Sequence, residues 1–147
     1  MSLPPGYRLT EDPAEIDAVA AHAYLTRSYW AKDIPLETVE AAIAHSFSIA
    51  VLHEGRQIGF MRLITDFATT AYLTDVYVLE EHRGHGLASA MLDYLRDHPR
   101  LQGLRRWMLF TTDAQPLYAK AGWNVYPHPE RTMVRDDPDI YGRSIPR

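Results

Sequence analysis

There is no cysteine anywhere in the 147 residues. That excludes disulfides, thiolate nucleophiles, a Cys-acyl intermediate and Cys-ligated zinc, and it accords with a reducing compartment, so a cytoplasmic location is expected. No apolar run approaches the ~18 residues of a membrane span. The stretch Met1 to Gly6 has no basic region followed by a long apolar one, so no secretory signal is expected. Basic charge is not in excess either: Lys+Arg 15 against Asp+Glu 19 leaves a net charge of −4. Such a chain has no bulk drive towards nucleic acid. The 7 histidines show no metal-ligand spacing. His82 and His85 are three apart but straddle a turn, so no metal is expected. Repeats and low-complexity stretches are missing too. The remaining balance is that of an ordinary globular protein, 46% hydrophobic and 23% charged. One domain spanning 1–147 is the natural expectation at this length.

Taken in order, Tyr7 to Thr10 reads as a short strand. Asp12, Pro13 and Glu15 make a helix start, and Ile16, Val19, Ala20 and Ala23 carry the helical spacing to about Leu25. The polar connection from Thr26 to Asp33 holds two adjacent aromatics, Tyr29 and Trp30. These either line a pocket or pack over the next helix. Pro35 opens that helix, which ends near His45. Phe47 to Leu52, Gln57 to Thr65 and Ala71 to Leu79 form a three-strand meander turning at Glu54-Gly55 and near Phe67 to Thr70. The imperfect alternation of the third fits a central strand buried on both faces.

Val76 to Leu92 then passes from a β-branched apolar run, through His82-Arg83-Gly84-His85-Gly86, into a helical pattern carried by Leu87, Ala90, Met91, Tyr94 and Leu95. A strand, a glycine-bearing turn and a helix start leave backbone N–H groups free to receive phosphate oxygens. Pro99 stops the helix. Leu104 to Thr112 reads as a strand, Ala114 to Lys120 as a short helix ended by Gly122, and Trp123 to Tyr126 and Arg131 to Val134 as two last strands. Residues 136–147 read as a loose tail. The order β-α-α-β-β-β-α-β-α-β-β implies an α/β (α+β) fold. It would be a mixed, mostly antiparallel six- to seven-stranded sheet with helices on both faces.

This order and two motifs resemble the GNAT superfamily of N-acetyltransferases. Arg83-Gly84-His85-Gly86-Leu87-Ala88 satisfies every fixed position of its pyrophosphate loop, Gln/Arg-x-x-Gly-x-Gly/Ala. Ala114-x-x-Leu117-Tyr118-x-Lys120-x-Gly122-Trp123 is similar to a second signature of the family, with Trp in place of Phe. The resemblance covers roughly Tyr7 to Arg135 and is sharp from about Leu73 to Tyr126. It implies acetyl-CoA as acyl donor, with the pyrophosphate on the backbone around Arg83, Gly84, His85, Gly86, Leu87 and Ala88. It also implies acyl-pantetheine in a gap between strands, paired with the backbone of Val76, Tyr77 and Val78.

The resemblance further makes Tyr118 the general acid that returns a proton to the departing thiolate. A phenol with pKa ≈ 10 can donate at neutral pH. The plain alternative is a tyrosine packed in the core. Asp113 stands where the family commonly has Asn, which puts that usual contact in doubt; an Asp there could cap the helix start. Asp75 is the first candidate for general base, with a merely hydrogen-bonded carboxylate as the alternative. Asp66 and Glu81 are weaker candidates. The expected acceptor is a small-molecule primary amine, with Tyr29 and Trp30 as pocket walls. Two other readings are a non-catalytic acyl-CoA sensor and a protein or peptide N-acetyltransferase. A homodimer is compatible with the sequence.

Overall fold

The computed structural model describes residues 2–142. Its centre is one five-stranded sheet in the order β1 (Tyr7–Thr10), β2 (Phe47–His53), β3 (Arg56–Thr65), β4 (Thr70–Val78), β5 (Arg106–Met108). The first four strands pair antiparallel, and β5 pairs parallel to β4. A parallel neighbour needs a crossover, which α3 (Leu87–Asp97) supplies.

Both faces of the sheet are covered. On one, Ile49, Met61, Leu63 and Leu73 pack with Leu87, Met91 and Leu95 of α3 and with Tyr118 of α4 (Gln115–Lys120). On the other, Ala50, Phe60 and Tyr77 pack with Ala21 and Leu25 of α1 (Ala18–Leu25) and with Val39 of α2 (Leu36–Ala44). Apolar residues on both faces of the central strands blur their alternation.

A second cause acts in β4. Its register against β3 runs Phe60↔Tyr77 and then Arg62↔Thr74, so β4 spends three residues where β3 spends two. This is a β-bulge, and Asp75 sits in it at φ +56. Asp is among the few non-glycine types that tolerate this region. The bulge exchanges the faces of the strand. Ala71 and Leu73 before it point to the α3 side, whereas Tyr77 after it points to the α1–α2 side and Val76 and Val78 take over the α3 side.

The strand count is lower than the sequence implied. Among the described residues Trp123–Tyr126 and Arg131–Val134 pair with no strand, and β5 is three residues rather than nine. The Trp123 N–H is already taken by the Tyr118 carbonyl at 3.0 Å, and Pro127 and Pro129 interrupt the chain beyond it. The first helix also begins later than Pro13. Asp12 and Glu15 close a separate turn, and Glu15 is drawn away to Arg8 and Thr10. Asp17 is the cap, accepting from the Ala20 N–H at 3.0 Å. Its own N–H and carbonyl are held by the side chain of buried Gln57, so a tertiary contact sets the helix start.

Candidate active site

The parallel pairing of β4 with β5 covers only Thr70–Tyr72 against Arg106–Met108. Beyond it the two chains part, and residues 73–78 lose their neighbour on that side. The gap opens into a cavity of ≈ 1530 Å³. That exceeds the ~300–1,000 Å³ of an ordinary small-molecule pocket and leaves room for two substrates.

The floor of one end is the start of α3. Gly84 and Gly86 have φ +84 and +73, the left-handed region in which a side chain is strained. A Cβ at Gly84 would meet nothing within 4 Å, so the glycine there serves conformation and approach from outside rather than internal packing. No side chain caps the helix, and the backbone N–H groups of residues 84–89 make no hydrogen bond among the described residues. A row of unmatched N–H groups at the positive end of a helix dipole fits a pyrophosphate.

The side chains flanking this turn are arranged differently from expectation. Arg83 folds back, donating to the Val78 carbonyl and the Tyr24 hydroxyl, each at 3.0 Å. It lines the cavity as an anchored cation. His85 does not line it: its ring lies 5.8 Å from that of Tyr7. Any part it has in holding phosphate is through its main chain.

Tyr118 stands at the middle of the cavity wall, on α4. It is only 8% exposed, and its hydroxyl has no hydrogen-bond partner among the described residues. Burial, with a smaller contribution from nearby Tyr29, pushes its pKa up to about 12. The phenol therefore carries its proton throughout the neutral range. Asp113 lines the same cavity but does not cap α4. Ala114 is the N-cap, and its N–H donates to Thr111 Oγ1 at 3.1 Å.

The other end is built by side chains from distant segments. Because the bulge turns Asp75 to the α1–α2 side, its carboxylate meets Arg62 of β3 at 2.8 Å and the Trp30 indole N–H at 3.0 Å. Asp75 is 9% exposed, and each oxygen already accepts one bond. Arg62 also donates to Ser46 Oγ at 3.0 Å. Tyr29 and Trp30 both line the cavity, in edge contact with 5.1 Å between ring centres. The Tyr29 hydroxyl reaches across to the Thr112 N–H at 3.5 Å. Arg27 fixes the same loop to Glu80, whose carboxyl this bond lowers to about 2. Tyr24 stacks on Tyr77 at 4.3 Å.

Of the other base candidates, Asp66 is committed to the β3–β4 turn, held below the usual carboxylate range chiefly by the Thr69 hydroxyl. Neither it nor Glu81 lines the cavity. The described part of the expected loose tail does line it: Asp136, Ile140 and Tyr141 close one side, and Tyr141 packs on the α1–α2 core. Residues 143–147 lie outside the described residues. Sequence reasoning passed over Arg62, although a lone guanidinium inside Phe60-Met61-Arg62-Leu63-Ile64 signals a buried partner. Among the described residues, no helix is long and apolar enough to cross a membrane.

The model of the acetyltransferase (GNAT) family matches residues 11–123. A provisionally named acetyltransferase of Gibberella zeae is 35% identical over 137 residues, covering 78% of this chain and 76% of its own. A crystal structure of a provisionally named GNAT-family acetyltransferase from Xanthomonas campestris is 43% identical. It covers 97% of this chain and 100% of that one, with a TM-score of 0.91. A Clostridium acetobutylicum structure, described as a provisionally assigned acetyltransferase with acetyl-CoA, has a TM-score of 0.62. It covers 88% of this chain and 94% of that one; at 17% identity it speaks to the fold alone.

Proposed function

Since the chain belongs to the GNAT family of acetyltransferases, we propose that it moves the acetyl group of acetyl-CoA onto the primary amine of a small molecule, by direct attack in a ternary complex. The observation that carries this reading is the shared cavity. Gly84 and residues 86–89 with their unmatched N–H groups, the unpaired edge of β4 and Tyr118 all line one space. In this reading the pyrophosphate rests on the α3 start and the pantetheine arm runs along residues 76–78 of β4. That brings the thioester to Tyr118.

The amine nitrogen bonds to the thioester carbon, and backbone N–H groups near Val78 hold the resulting oxyanion. The C–S bond then breaks and the thiolate takes the Tyr118 proton. Burial keeps the phenol protonated, with its pKa up to about 12, so the proton is in place when the thiolate leaves. The amine's surplus proton leaves through water. Asp75 would take it directly only by sharing an oxygen already bonded to Arg62 or Trp30, so we assign it to positioning the Trp30 loop.

Release of free thiol from acetyl-CoA, followed with and without a primary amine, tests the reading. Amine-dependent release supports it. Tight acetyl-CoA binding with no release under any amine would instead mean a sensor.

A further inference from the structure

The acceptor end of the cavity is walled by aromatic side chains left facing water. Tyr29 and Phe110 are each 62% exposed and Trp30 39%, yet all three line the cavity. They form two walls. Trp30 and Tyr29 stand edge to face on the loop after α1, and Phe110 meets Tyr72 edge to face at 5.9 Å on the β4–β5 side. Tyr29 spans the space between them, since its hydroxyl lies 3.5 Å from the Thr112 N–H and it is close enough to influence the Tyr118 hydroxyl. Two edge-to-face aromatic pairs lining one cavity suit a flat ring better than a flexible polar chain.

The charges at this end point the same way. A carboxylate on the acceptor would need a cation, but Arg62 is paired with Asp75 and Arg27 with Glu80. Arg83 is anchored to the Val78 carbonyl and the Tyr24 hydroxyl beside α3, so among the described residues exposed Lys32 is the cation the carboxylate would have to recruit at this end. Asp113 and Asp136, also lining the cavity, oppose a carboxylate and favour the approach of an ammonium.

We infer that the acceptor is a primary amine carried on a flat aromatic body without a carboxylate, an arylalkylamine, gripped between Tyr29-Trp30 and Phe110-Tyr72. This rests on the acetyl-transfer reading above. It adds which class of amine the site selects.

The test is thiol release by the full chain with five acceptors: 2-phenylethylamine, 2-cyclohexylethylamine, spermidine, L-glutamate, and a short peptide with a free N-terminus and one lysine. The expected result is a kcat/KM for 2-phenylethylamine about tenfold or more above each of the others. Phe110→Ala should raise the KM for 2-phenylethylamine by roughly tenfold and leave the KM for acetyl-CoA in place, while Phe110→Leu recovers part of the loss. Preference for spermidine, glutamate or the peptide overturns the inference and leaves acetyl transfer standing. Equal use of the cyclohexyl amine overturns the flat-ring requirement. Acetyl-CoA binding without release under any of the five overturns both readings together. The wild-type panel decides the matter by itself if Phe110→Ala fails to fold.

Discussion

The two ends of the cavity are made in different ways. The donor end is main chain: two left-handed glycines, a helix start and an unpaired strand edge. The acceptor end is side chain: Trp30 from a loop, Arg62 from β3, Asp75 and Tyr72 from β4, and Phe110 from the segment after β5. A site made of backbone needs glycine at set positions within a few residues, so it marks the sequence locally. A site made of side chains leaves only scattered residues, joined when the sheet forms.

The contrast can be broken by variants that act on one end alone. Tyr118, to which the proposed reaction gives a part at both ends, should give the largest effect. Tyr118→Phe removes the donated proton and should lower kcat by roughly a hundredfold or more, with acetyl-CoA affinity kept. Equal kcat in the two proteins would remove Tyr118 from the chemistry. Gly86→Val places a β-branched residue at φ +73. It should weaken acetyl-CoA binding by roughly tenfold in calorimetry while the acceptor KM at saturating donor stays put. A change confined to the acceptor KM would erase the division between the ends.

Trp30→Phe keeps the ring and deletes the N–H that Asp75 accepts. We expect the acceptor KM to rise by roughly three- to tenfold and the donor KM to hold. The smallest effect concerns the layer beneath. Burial pushes the Tyr77 hydroxyl, like that of Tyr118, up to about 12, whereas an unfolded chain ionises it near 10. The folded value is the higher, so this stability is complete below about pH 10 and is lost as pH rises through about 12. Melting temperature should fall across that window, and Tyr77→Phe should make the fall shallower.

The same contrast explains how far the sequence could be read. The glycine turn and the helix after it follow from local spacing, although the helix begins at Leu87 and not at about Gly84; Tyr118 comes from the resemblance, and the structure puts them on one cavity. The first helix starts later than its local signals say because Gln57, forty residues away, decides which aspartate caps it. Trp123–Tyr126 and Arg131–Val134 have strand-like composition, but a strand exists only where a neighbour offers its hydrogen bonds, and among the described residues none does. The pairing of Asp75 with Arg62 and Trp30 was hidden for a related reason. No local rule announces a bulge carried by an aspartate, and without the bulge Asp75 would face α3.

That extra residue in β4 gives the strand two reading frames. Positions 71 and 73 and positions 76 and 78 belong to one side of the protein, so odd and even trade meanings at Asp75. The bulge absorbs one residue, so its loss leaves the flanking side chains on the faces they already hold. Deleting Asp75 would return the strand to one frame with Tyr77 still on the Leu25 side and the two valines still on the Met91 side, and would remove only the carboxylate that Arg62 and Trp30 share. The extra residue therefore serves the site and not the packing: β4 could lose it with both layers of helices in place, and the loss would fall on Arg62 and Trp30.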